Sequence, residues 1–91
     1  LQSNPEGVDL SAIENELRTL NNVEDIHDVH AWSLDGKYHV LSLHVVISQI
    51  TDQQSLVLLK NQIRDQLHKM GIEHSTIEFE LPSEACVLEN C

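Results

Sequence analysis

Apolar residues recur along this chain first at helical spacing and then at strand spacing. Leu10, Ile13, Leu17 and Leu20 form one stripe at intervals of three and four residues, which predicts a helix. Ser11 with Glu14 three positions later resembles a capping box opening it, and Asn21-Asn22 closes it. From Glu24 to Leu34 and from Lys37 to Ser48 the pattern alternates, as strands do. Asp35-Gly36 between them is a hairpin signal. A two-residue turn there sets Leu34 opposite Lys37 and, further along, His27 opposite His44. A second stripe (Leu56, Leu59, Ile63, Leu67, Met70) predicts a helix from a cap at Thr51 or Asp52 to Gly71. A third strand runs from Ile72 to about Leu81.

The order is therefore helix, strand, strand, helix, strand. A strand–helix–strand crossover is right-handed, so the third strand should lie parallel to the second. The expected fold class is α+β, a ferredoxin-like αββαβ layer: a three-stranded mixed sheet with two helices on one face. Residues 1–8, with Pro5 and Gly7, read as a linker, 9–81 as one domain, and 82–91 as an irregular tail. The start at Leu1 instead of methionine suggests a piece of a longer chain. No apolar run approaches the roughly 20 residues of a membrane span, and no signal peptide is evident.

Alternation sorts the side chains by face. Ile26, Trp32, Leu34, Leu41, Leu43, Val45 and Ile47 are expected under the helices. His27, Val29, Ala31 and Ser33 are expected on the open face, with Tyr38, Val40, Ser42 and His44. If Ile77 and Phe79 are covered, then His74, Thr76, Glu78 and Glu80 share that open face.

Charge now changes the picture. Fifteen acidic residues against five basic ones give a net charge of −10, which repels phosphate backbones and anionic lipid surfaces. The charge thus argues against nucleic acid as a partner and favours divalent cations. Six histidines supply the usual ligand for transition metals. Directly opposed cross-strand residues have Cβ atoms about 4.5–5.5 Å apart, so His27 and His44 are placed to share one ion. Glu80 reaches the same sheet edge, and three such ligands suit Zn²⁺ with a fourth position left over. Glu78 reads as a solvated neighbour, His30 as a hydrogen-bonded histidine on the helix side, and His39 and His68 as surface residues.

Cys86 and Cys91 close too small a loop for a stabilising disulfide and read as reduced thiols. With His74 they form a second candidate site, because thiolate and imidazole together favour zinc or a softer ion.

The run VEDIHDVHAWSLDGKYHVLSLHVVI (Val23 to Ile47) resembles the cytoplasmic C-terminal domain of cation diffusion facilitator transporters, as does IEHSTIEFE (Ile72 to Glu80). Pro5 and the following V-D-L-S-A-I are similar to the segment leading out of the last membrane helix. The resemblance spans residues 5 to 86. It implies the cytoplasmic domain of a membrane protein, a proton-coupled exporter of Zn²⁺ in which these domains form a homodimer and bind metal. Cd²⁺, Co²⁺, Ni²⁺ and Cu²⁺ are the other divalent candidates. The transmembrane domain of the full-length chain would be a further partner. The family's ligands fall on His27, His44 and Glu80, and its second site on His74, Cys86 and Cys91. Two departures stand out: Glu78 replaces the glutamine of many relatives, and the cysteines are spaced C-x₄-C.

Two other readings compete. A stand-alone metallochaperone or ligand sensor of the same layered fold would want a Cys-x-x-Cys loop or a glycine-bearing ligand loop, and the sequence has neither. An enzyme would want a nucleophile–base arrangement and a pocket that excludes water; none is evident, so the expectation is that the chain is not an enzyme.

Overall fold

The structure is a computed structural model that describes residues 7–48 and 52–82. Its elements are α1 (Leu10–Leu17), β1 (Val23–Leu34), β2 (Tyr38–Ile47), α2 (Gln53–Lys69) and β3 (His74–Glu80). The strands form one sheet in the order β1-β2-β3, with β1 antiparallel and β3 parallel to β2. This is the expected α+β architecture, with the crossover helix α2 between the two parallel strands.

Each helix is fixed by its apolar stripe and its cap. Ile13 and Leu17 of α1 are buried, as are Leu59, Ile63 and Leu67 of α2. They pack on Leu41, Leu43, Val45 and Ile47 of β2, with Ile77 and Phe79 partly buried beside them. The cap of α1 is not the Ser11–Glu14 box: Asp9 takes that position and accepts from the Ala12 amide at 3.1 Å. An aspartate immediately before the first stripe residue fills the cap position two residues ahead of the box. Asp52 caps α2, accepting from the Ser55 amide at 2.9 Å. Gly71, at φ 94°, follows its end, a left-handed conformation that glycine adopts at little cost. Val8, within the segment read as linker, is itself buried against the core. No helix among the described residues is long and apolar enough to cross a membrane.

The hairpin departs from the expected register at its tip and at Asp28, with a further shift between Val23 and Asp25 at the far end of β1. Asp35 (φ 58°) and Gly36 (φ 70°) make the turn, and the Lys37 amide donates to the Leu34 carbonyl at 3.2 Å. Leu34 nevertheless faces Tyr38, not Lys37, so the ladder starts one residue late. A second irregularity between His27 and His30 restores the count, with Asp28 at φ 53°. It has the character of a β-bulge, an extra residue in one strand that resets the alternation beyond it.

The result is that His27 does face His44, while the remainder of β1 swaps faces. Val29 and Ala31, expected on the open face, join the core cluster. Trp32 and Leu34, expected under the helices, are 41% and 51% exposed. His30 is likewise not a covered histidine: it is exposed and pairs with Ser42.

Candidate metal centre

The open face of the sheet carries its polar groups near the end of β3. Parallel pairing sets Glu78 beside His44 and Glu80 beside Val46. Glu80 is 2% exposed and is the one buried charged residue among those described. Its carboxylate lies between the two imidazoles. His27 Nε2–H donates to Glu80 Oε1 at 2.6 Å, a short charge-assisted contact. On the other side, His44 Nδ1 lies 2.6 Å from Glu80 Oε2. Those two atoms are shut off from solvent, yet neither makes a hydrogen bond. The rings of His27 and His44 meet edge to face, with centroids 5.2 Å apart.

Two other carboxylates rim this cluster. Asp28 Oδ2 stands 3.6 Å from His44 Nδ1 and 4.0 Å from His27 Nδ1. Glu78 Oε1 stands 3.6 Å from His44 Nε2. Ligand atoms of His27, Asp28 and His44 all lie within 4.8 Å of one another, and so do those of His44, Glu78 and Glu80. The arrangement is chemically suited to a cation. A buried carboxylate oxygen without a hydrogen bond is expensive unless a positive charge meets it. Imidazole nitrogen and carboxylate oxygen are the donors that Zn²⁺ and related ions accept.

Of the residues singled out from sequence, the structure brings His27, His44 and Glu80 together. His74 is exposed at the start of β3, paired with Val40, four register positions from the Glu78–His44 pair, or ~13 Å along a strand. It does not join the cluster. Cys86 and Cys91 lie outside the described residues. His39 is half-buried and forms a hydrogen bond between its Nδ1 and Ser33 Oγ at 2.5 Å, while His68 is exposed.

Asp28 was not singled out from sequence. Strict alternation makes the residue after His27 point away from it, and only the bulge turns Asp28 toward the histidines. The usable signal was its type, since aspartate tolerates the left-handed conformation better than most residues.

Comparison with known proteins identifies the family and the fold. The family model described as the cytoplasmic domain of cation efflux proteins matches residues 5–81. A proton-coupled zinc antiporter of Mus musculus is 34% identical over 92 residues, covering 100% of this chain and 24% of the relative. The cadmium, cobalt and zinc/H(+)-K(+) antiporter of Bacillus subtilis is 33% identical over 81 residues, covering 88% of this chain and 26% of the relative. The chain thus spans about a quarter of the length of these curated relatives. Among solved structures, the metal-bound C-terminal domain of the CzcD transporter from Cuprividus metallidurans superposes with a TM-score of 0.62. It is 34% identical, with 81% of this chain and 100% of that one covered. The corresponding domain from Thermotoga maritima has a TM-score of 0.69 at 22% identity, covering 79% and 85%, a likeness of fold. The match over residues 5–81 makes this chain a member of the family of cation efflux protein cytoplasmic domains.

Proposed function

We propose that this chain is the regulatory, dimerising and divalent-metal-binding part of a proton-coupled Zn²⁺ efflux transporter. The observation that carries the reading is the Glu80 carboxylate, buried between His27 and His44 with one oxygen unbonded. His27, His44 and Glu80 would hold the ion; the two imidazoles and the carboxylate are its donors. The zinc named in the antiporter relatives and the bound metal of the CzcD domain support zinc as the first ion to test.

The physical role follows from charge. A chain at −10 repels a second copy of itself. A divalent ion at the sheet edge offsets the carboxylates there and lowers that repulsion, so binding would favour the paired state. Ligand deprotonation accompanies binding, so uptake would also release protons.

The test is a zinc titration by calorimetry on the 91-residue chain and on a His27→Ala, His44→Ala double variant, with molar mass followed by light scattering. The expected outcome is zinc binding by the parent, lost in the double variant, with metal-dependent growth of mass in the parent alone. Equal binding by both would move the site to His74, Cys86 and Cys91. Absence of binding in both would end the metal reading.

A further inference from the structure

Asp28 is the bulge residue of β1, in a left-handed conformation (φ 53°) that glycine adopts at least cost and that asparagine and aspartate tolerate better than most residues. The bulge itself has a structural purpose, because it turns Val29 and Ala31 into the core. Glycine would serve that purpose with less strain. An aspartate there adds negative charge next to Glu78 and the buried Glu80, in a chain already at −10. Its described ion-pair partners are His27 and His44, and no lysine or arginine is among the described partners of these three acids.

The position of the carboxylate answers why the charge is tolerated. Asp28 Oδ2 and Glu80 Oε2 both come near the same His44 Nδ1, at 3.6 Å and 2.6 Å. Its distance to His27 Nδ1 is 4.0 Å. Asp28 is 61% exposed, at the solvent mouth of the cluster, whereas Glu80 is at its floor with an unbonded oxygen pointing in.

We propose that Asp28 is a direct metal ligand that closes the mouth of the site, completing a set of two imidazoles and two carboxylates. Such a set is electrically balanced for a divalent ion and fills the four positions of a closed zinc site. The bulge is then the device that places the fourth donor. This rests on the proposed metal-binding role of His27, His44 and Glu80.

The test compares Asp28→Asn and Asp28→Gly with the parent and with the His27→Ala, His44→Ala double variant, using zinc calorimetry and the visible absorption of bound Co²⁺. Both substitutions suit a left-handed backbone, so the fold is retained, which circular dichroism verifies. The expected result is zinc affinity weakened at least about tenfold in both variants. Their Co²⁺ bands should weaken too, as water replaces the carboxylate and coordination expands. Parent-like affinity in either variant, with binding lost in the double variant, would reduce Asp28 to a bulge residue and leave the metal site standing. Absence of binding by the parent would remove both readings together.

Discussion

The two faces of this sheet are made from the same three strands and solve opposite problems. The covered face is apolar throughout: Ile26, Ala31, Leu41, Leu43, Val45 and Ile47 are each 5% exposed or less beneath α1 and α2. Every group there is satisfied by contact alone. On the open face Glu80 is buried just as deeply, but with one oxygen and the facing His44 nitrogen left without hydrogen bonds. The apolar face is what the domain needs in order to fold; the polar cluster is what the proposed function assigns to a cation. Perturbing one face should therefore leave the other's response intact.

The largest effect is expected on the covered face. Leu43 is 1% exposed at the centre of the sheet, with its neighbour Ile77 across the parallel pair. Leu43→Ala should lower unfolding free energy by about 2–5 kcal/mol, the usual range for a cavity in a rigid core. Urea denaturation in the presence of a chelator measures it. A loss below about 1 kcal/mol would mean that the helices do not clamp this face as the burial indicates.

The face assignments also show how much could be read from sequence. Order of elements, the parallel third strand, an α2 cap at Thr51 or Asp52 (it is Asp52) and the meeting of His27 with His44 all followed from periodicity, turn chemistry and crossover handedness. The faces of Val29, His30, Ala31, Trp32 and Leu34 did not. Alternation fixes a face only until an extra residue enters the strand. Here one offset at the hairpin tip and one at Asp28 cancel. The histidine pair was thus placed correctly by a count that is wrong for the six residues between the offsets. An aspartate in a bulge looks in sequence like any polar strand residue. For the same reason the Asp28 carboxylate was out of sight until the backbone was known.

An intermediate effect is expected on the open face and should depend on metal. At a free zinc concentration one hundred times the dissociation constant, binding to the native state alone adds about 2.7 kcal/mol of stability. Glu80→Gln sharpens this. The amide oxygen still accepts from His27 Nε2, and the amide nitrogen gives His44 Nδ1 a donor where it now meets a carboxylate oxygen. Without metal the variant should stay within about 1 kcal/mol of the parent, the worth of one hydrogen bond. With zinc it should lose most of the stabilisation, because a neutral amide is a poor substitute for a carboxylate ligand. Thermal melts of both proteins with and without zinc make the comparison. A variant that zinc still stabilises fully would move the charge-bearing ligand from Glu80 to another acid of the cluster.

The smallest effect lies on the helical layer and follows pH without metal. Asp52 caps α2, and the Ser55 amide and hydroxyl that bond to its carboxylate hold its pKa below the ordinary 3.8. A carboxyl that is more acidic folded than unfolded binds fewer protons in the native state, so it contributes stability above its unfolded pKa. That contribution is lost as pH falls through the lower folded value. The difference in stability between the parent and Asp52→Ala should therefore be constant from neutral pH down to just above 3.8, then shrink as acid is added. Chelator keeps the open face out of the measurement. A difference that grew on acidification would have the wrong sign for a cap, and would mean that the carboxylate destabilises the helix start it caps. Because Asp52 is exposed and caps a helix that packs on the covered face, with the sheet between it and the cluster, zinc should leave this pH profile unchanged. A zinc-dependent shift in it would show the two faces to be coupled through α2, against the independence that their burial implies.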